Sequence, residues 1–218
     1  MSNRTHGIEE YLEALFKLER GDEPVTVKRV AGELGVAPPS VSEMLGRMRA
    51  SGLVEAPGEA GVKLTPEGEL EGARLVRRHR LSERFLVDYL GMPWDEVHDE
   101  ACKFEHVLSP EVEARLAEQL GDPRTCPHGH AIPQADGSLA EEELKPLSSF
   151  AVGESGVIGC IAEESGDFLR YLASLGLLPD TPVEVESIAP FGGPVLVRVA
   201  GSQYALGREV AGKILVRA

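Results

Sequence analysis

The stretch VTVKRVAGELGVAPPSVSEMLGRMRASGLVEA, residues 25–56, decides the architecture. Thr26 can cap a short helix that carries Val30, Ala31 and Leu34 at helical spacing, and Gly35 breaks that helix. Pro38 and Pro39 fit only a first turn, where their missing N–H groups lack a helical partner anyway. They open a second helix over 38–50 that bears Val41, Met44, Leu45 and Met48. Helix, Gly-containing turn, helix is the helix-turn-helix pattern. The following GLVEAPGEAGVKLTPEG reads as two short strands around a Gly-rich turn at 57–61, a β-wing, before Thr65-Pro66 starts a further helix.

On the N-terminal side, IEEYLEALFKLE places Ile8, Leu12, Leu15, Phe16 and Leu18 on one helical stripe, ringed by acids that include Glu10 and Glu13. On the C-terminal side a long helix runs from about 66 to 91, and PWDEVHDEACKFEHVL and SPEVEARLAEQL supply two more, the last capped by Ser109. The periodicity fails over 121–146, where Pro and Gly crowd, and this reads as a tether. Beyond it, short apolar runs alternate with turns, interrupted by one helical stretch near GDFLRYLASLGL, which predicts a small β-barrel. The expected fold is therefore mainly α with a C-terminal β-barrel. Its predicted segments are a winged helix-turn-helix domain at 1–73, a helical domain at 74–121, the tether at 122–146 and the barrel at 147–218.

The charge balance pulls against a nucleic-acid partner. The 218 residues carry a formal net charge of −14, whereas phosphate binding is driven by Lys and Arg. From Val25 to Leu53, however, the cations Lys28, Arg29, Arg47 and Arg49 face only the acids Glu33 and Glu43. No stretch approaches the ~20 apolar residues of a membrane span, and the N-terminus lacks a signal-peptide pattern, so a cytoplasmic location without membrane contact is expected. Three scattered cysteines, Cys102, Cys126 and Cys160, argue for reduced thiols rather than a disulfide framework.

HDEACKFEH, residues 98–106, packs two histidines, a cysteine and three carboxylates into nine positions without Gly or Pro. At about 100° per residue, His98, Cys102, Glu105 and His106 share a helix face. His79 and Glu83 share another, and Glu10 and Glu13 a third. Taken singly, each is an ordinary solvated residue of a charged helix. Taken together, nitrogen, carboxylate and thiolate donors suit a first-row divalent transition ion, being too His-rich for calcium and too Cys-poor for a closed zinc finger. Cys126, His128 and His130 in CPHGH form a further possible metal site, inside the tether. Cys160 is read as barrel core, and Trp94 and Phe104 as packing residues.

HRLSERFL, VHDEACKFEHVLS, CPHGHAIP, SVSEMLGRMRASGLV and LTPEG together resemble the metal-dependent transcriptional repressors that include the diphtheria toxin repressor and the manganese transport regulator, over nearly the full length. The resemblance implies a homodimer whose winged helix-turn-helix binds a palindromic DNA operator when metal is bound, controlling metal uptake. It makes residues 74–121 a dimerisation and metal-binding domain and the barrel a FeoA-like domain of the Src-homology-3 type. It assigns Glu10, Cys102, Glu105 and His106, with Glu13 beside them, to a primary metal site. It assigns His79, Glu83 and His98, with Glu164 and Asp167 from the barrel, to an ancillary one. About two ions per protomer are implied, manganese(II) or iron(II), with cobalt, cadmium or zinc as substitutes. The set is a hybrid: iron-responsive members have Met where Glu10 stands, whereas manganese-responsive members have Glu where Cys102 stands. Hard oxygen donors tip the balance toward manganese.

In such a repressor the helix over 38–50 enters the major groove, with Pro39, Ser40, Ser42 and Glu43 nearest the bases and Lys28, Arg29, Arg47 and Arg49 near phosphates. The rival readings are a metal buffer or transport accessory and a metal-dependent hydrolase. Against an enzyme, no His-Glu-x-x-His helix or Gly-rich phosphate loop is present. The wing and the basic helix pair serve neither rival.

Overall fold

The computed structural model describes residues 2–21, 23–56, 61–140 and 142–218, with side chains from residue 7 onward. Helix α1 spans Ser2–Leu18, α2 Val27–Leu34, α3 Pro38–Ala50, α4 Pro66–Asp88, α5 Val97–Phe104 and α6 Pro110–Gln119. Strands β1 (Lys145–Pro146) and β2 (Ser155–Ile161) are followed by α7 (Gly166–Ser174). Then come β3 (Pro182–Ile188), β4 (Val195–Val199), β5 (Ser202–Leu206), α8 (Arg208–Gly212) and β6 (Ile214–Arg217). No helix among the described residues is long and apolar enough to cross a membrane.

The local signals act as their chemistry dictates. The Thr26 side chain accepts from Arg29 N, and Gly35 closes α2 at φ 64°, a left-handed cap that returns its N–H to Ala31 O. The two prolines occupy the first turn of α3, and the Ser109 side chain caps α6 by accepting from Val112 N. The wing strands meet in an antiparallel bridge at Val54 and Leu64, and the turn between them falls largely on residues 57–60, outside those described.

The chain divides into two compact units. The first comprises Met1–His79, Glu105–Leu108 and Pro133–Leu139; the second comprises Arg80–Phe104, Ser109–Ile132 and Ala140–Ala218. In the first, Leu12, Leu15 and Phe16 of α1 pack with Val30 and Ala31 of α2, Val41, Leu45 and Met48 of α3, Val54 and Leu64 of the wing, and Leu75 and Val76 of α4. Each such side chain contributes roughly 1.5–3 kcal/mol of burial, which fixes α1 against the helix-turn-helix pair. In the second, Ile158, Ile161, Leu169, Leu172, Val185, Val197, Leu206 and Ile214 form the core between the sheet and α7.

Three sequence expectations are revised. The predicted barrel is one six-stranded sheet of order β1-β6-β2-β3-β4-β5, antiparallel at every pairing and left open with β1 and β5 as its edges. The helix read through 98–106 ends at Phe104, where the backbone tightens into a 3-10 turn, Glu105–Val107. A step of about 100° per residue therefore does not carry through to Glu105 and His106. Finally, the tether holds an ordered loop. Thr125 bridges Ala131, Cys126 N donates to His130 O at 2.9 Å, and Cys126, His128 and Ile132 are buried. His128 O accepts from Ile161 N at 3.0 Å, which lays this loop along β2.

Candidate metal centre

In the first unit the last residues of the 98–106 motif meet α1 and α4. His79 Nδ1 donates to Glu105 Oε2 at 2.6 Å, and the two side chains are 2% and 3% exposed. Glu13 joins them, so that one donor atom from each of Glu13, His79 and Glu105 lies within 4.8 Å of the others. Beside this trio, His106 Nδ1 donates to Glu9 Oε2 at 2.8 Å, while its Nε2 faces Glu105 Oε1 at 3.6 Å. Burial raises the Glu105 pKa; the His79 hydrogen bond opposes this, and Glu13 adds to it. Lys17 lies 2.8 Å from the Glu13 carboxylate. Two carboxylates and two imidazoles gathered where water is scarce are a donor set that a divalent cation fits, because it lets both acids ionise together.

In the second unit a group of donors surrounds Glu83, whose side chain is fully buried. Glu83, Cys126 and His128 bring donor atoms within 4.8 Å of one another, as do Glu83, His98 and Glu164. Glu164 reaches His98 Nδ1 at 3.3 Å and His130 Nε2 at 3.1 Å, and His130 in turn lies against Cys160 Sγ at 3.2 Å. His128 Nε2 donates to Trp94 O at 2.7 Å, which turns Nδ1 toward Glu83 Oε1, 3.4 Å away. Burial works to keep His128 neutral, yet hydrogen bonds to Cys126 and Glu83 outweigh it and push the pKa up to about 11. Burial and the charge of Glu83 raise the Cys126 thiol, so both donors hold protons that a metal would displace.

The candidate residues divide accordingly. Glu13, Glu105 and His106 come together, and His79, read from the resemblance as ancillary, stands with them. Glu10 is exposed on α1, and it is Glu9 that contacts His106. Cys102 belongs to the second unit, its Sγ 3.7 Å from His98 Nε2. Glu83, His98 and Glu164 converge, whereas Asp167 does not: its side chain is 97% exposed and pairs with Arg170 one turn along α7. Glu9, Cys126 and His128 were missing from the main sets. The CPHGH spacing signalled the last two, but Glu9 carried no signal beyond being one acid among several.

On the DNA-reading side, Lys28, Pro39, Ser40, Ser42, Glu43, Arg47 and Arg49 are exposed. Ser42 Oγ donates back to Pro38 O at 3.2 Å, and Arg49 Nε to Glu55 O at 3.2 Å. Arg29 is half-buried at the start of α2. Its guanidinium donates to the carbonyls of Glu23 and Pro24, which ties down the entry to α2.

Against known proteins, residues 4–62 match the description "Iron dependent repressor, N-terminal DNA binding domain" and residues 65–134 match "Iron dependent repressor, metal binding and dimerisation domain". Residues 145–218 match the FeoA domain. The iron-dependent repressor IdeR of Mycobacterium leprae (strain TN) is 32% identical over 228 residues, covering 99% of each chain. The chain belongs to the iron-dependent repressor family. Members of this family are transcriptional regulators, not enzymes. The diphtheria toxin repressor of Corynebacterium diphtheriae is 39% identical to this family member over 128 residues, 59% of this chain and 57% of that one. Among solved structures, a manganese-dependent transcriptional repressor in complex with manganese superposes with TM-score 0.90 at 34% identity, covering 97% of this chain and 99% of that one. ScaR with bound Cd2+ superposes at 0.83 and 31% identity, covering 96% and 98%.

Proposed function

We propose that this iron-dependent repressor family member is a manganese(II)- or iron(II)-dependent repressor that binds a palindromic operator as a homodimer and controls metal uptake. The observation that carries the reading is the meeting of Glu13, His79 and Glu105 with the His106–Glu9 pair, because it joins the helix beside the DNA-reading pair to residues from mid-chain. A bound divalent ion would add positive charge to that which Lys17 brings to Glu13. Glu13 and Glu105 would hold it through oxygen, and His79 and His106 through nitrogen. Glu9 accepts the Nδ1 proton of His106 and so presents Nε2 toward Glu105. Glu10 remains a further oxygen donor by resemblance. With the acids neutralised, α1 is held to the 3-10 turn, and α3 is held in turn through the shared apolar core.

The donors of the first unit are oxygen and nitrogen, which favours manganese; the second group, with Cys126, is softer and suits zinc, cobalt or cadmium as well. Exposed Tyr89, Leu90 and Val112 offer the second unit an apolar surface for a second copy. Exposed Lys28, Arg47 and Arg49 offer charge to phosphates, and the N-terminal half of α3 offers Ser40 and Glu43 to base edges.

The test is anaerobic fluorescence anisotropy on labelled palindromic operators from metal-uptake promoters, titrating manganese(II), iron(II), cobalt(II) and zinc(II) with a scrambled duplex as control. Metal-switched, sequence-specific binding is expected, with manganese or iron most effective. Specific binding that ignores every metal, or no specific binding at all, would overturn the proposal.

A further inference from the structure

Glu19 follows the last residue of α1, and its N–H still donates to Leu15 O at 2.9 Å. Its Oε1 accepts from Leu64 N at 2.7 Å, a bond between residues 45 apart in sequence. Leu64 lies opposite Val54 in the wing, flanked by Glu55 N donating to Lys63 O at 2.8 Å and Thr65 N donating to Leu53 O at 3.1 Å. In an antiparallel pair those flanking bonds leave the Leu64 N–H pointing away from its partner strand. Glu19 supplies the acceptor that the ladder cannot, and it does so in a half-buried place where such a bond weighs more than in water.

The wing is tied with equal directness to the DNA-reading helix. Leu53 N donates to Met48 O at 2.9 Å, and Thr65 Oγ1 donates to Gly52 O at 2.6 Å. Glu9 and Glu13 sit on the same α1 whose end carries Glu19, roughly 9 Å of helix beyond Glu13. A polar path thus runs from the acids that face His79, Glu105 and His106, along one rigid helix, through a single side chain to the wing and the end of α3.

We propose that Glu19 is a positioning residue that transmits the set of α1 to the wing and α3, so that what happens at Glu13 and Glu105 is felt where DNA is read. This rests on the repressor reading above. A purely structural brace would change operator affinity equally with and without metal; a transmitting strut changes the ratio between them.

The experiment uses the full-length protein as wild type, Glu19→Ala and Glu19→Gln, with a palindromic duplex selected from a random pool by manganese-loaded wild type. Operator affinity is measured with and without manganese(II). Manganese occupancy is read from the electron paramagnetic resonance of the free ion, and amide exchange at Leu64 by NMR. Glu19→Ala is expected to keep manganese occupancy yet lose about tenfold to a hundredfold of the metal-dependent gain in affinity, as removal of a hydrogen bond to a charged group implies. Glu19→Gln, which keeps an Oε1 acceptor, is expected to restore most of it. Manganese is expected to slow exchange at Leu64 in wild type. An undiminished gain in Glu19→Ala, or a loss equal with and without metal, overturns the proposal. If Glu19→Ala does not fold, wild-type exchange at Leu64 that manganese leaves unchanged overturns it too. A wild type that shows no metal-dependent gain instead removes the repressor reading, and the strut with it.

Discussion

His79 Nδ1 donates to Glu105 Oε2 across 2.6 Å with both side chains all but sealed from water. The pair puts an acid where burial raises its pKa above the ordinary 4.5. An unfolded chain leaves that acid at its ordinary value. The stability it contributes is thus full below about 4.5 and lost as pH rises through the raised folded value. Metal-free Glu105→Gln is therefore expected to melt above metal-free wild type at pH 7 and level with it near pH 4, the gap being roughly 2–4 °C for each kcal/mol. Manganese should raise the wild-type midpoint by more than that of the variant. Calorimetry in chelator, then in manganese(II), checks both; a variant less stable than wild type at pH 7 would sink the argument.

Glu9 and His106 predict a graded result. Removing the acceptor of a ligating imidazole typically weakens metal affinity about tenfold to a hundredfold. Glu9→Ala should show that loss, while His106→Ala should abolish metal-dependent operator binding and leave the dimer intact. Manganese titration followed by sedimentation distinguishes affinity from assembly. Tight, metal-stimulated DNA binding by His106→Ala would contradict the proposed centre.

The second group predicts a steep pH dependence. His128, pushed up to about 11, and Cys126, raised by burial, both carry protons at neutral pH. Cobalt(II) must displace them, so its affinity should climb by about two log units per pH unit between pH 6.5 and 8. The thiolate-to-cobalt absorption band reports this directly and should vanish in Cys126→Ser. A slope near zero would mean that neither donor takes part.

Gly129 predicts a stability effect with a chemical readout. Its φ is +91°, and a Cβ there would meet Gly159 O at 1.9 Å, backbone that cannot step aside. Gly129→Ala should lift the 126–130 loop off β2, cost about 1–3 kcal/mol and erase the cobalt thiolate band. Retention of that band at full intensity would show that the loop tolerates the shift.

Features governed by neighbours in sequence were legible. Thr26, Gly35, Pro38, Pro39 and Ser109 set helix ends through bonds within a turn or so, and their sites are as expected. Arg29 was not legible as a tie, because its carbonyl acceptors carry no side-chain signature. The loop at 125–133 read as a tether because Pro and Gly mark both solvated chain and tight turns. What decides between them is Glu83 and β2, distant in sequence. Among the candidate ligands, helical periodicity put His98 beside Cys102, where Sγ lies 3.7 Å from Nε2, and it held only as long as the helix lasted. The tightening after Phe104 re-sorts them, and nothing in the residue types announces it.

The insertion of Glu105–Leu108 into the first unit, while the residues on either side of it belong to the second, bears on how this protein could be recombined. A gene fragment encoding 1–79 would encode nearly all the apolar core of the DNA-reading head, yet Glu9 and Glu13 would lose their counterparts Glu105 and His106. On the proposed reading, responsiveness to metal is therefore not heritable with the head alone. A chimera that transplants the head onto another body would inherit a grip on DNA but forfeit its governor, unless these few mid-chain residues travelled along.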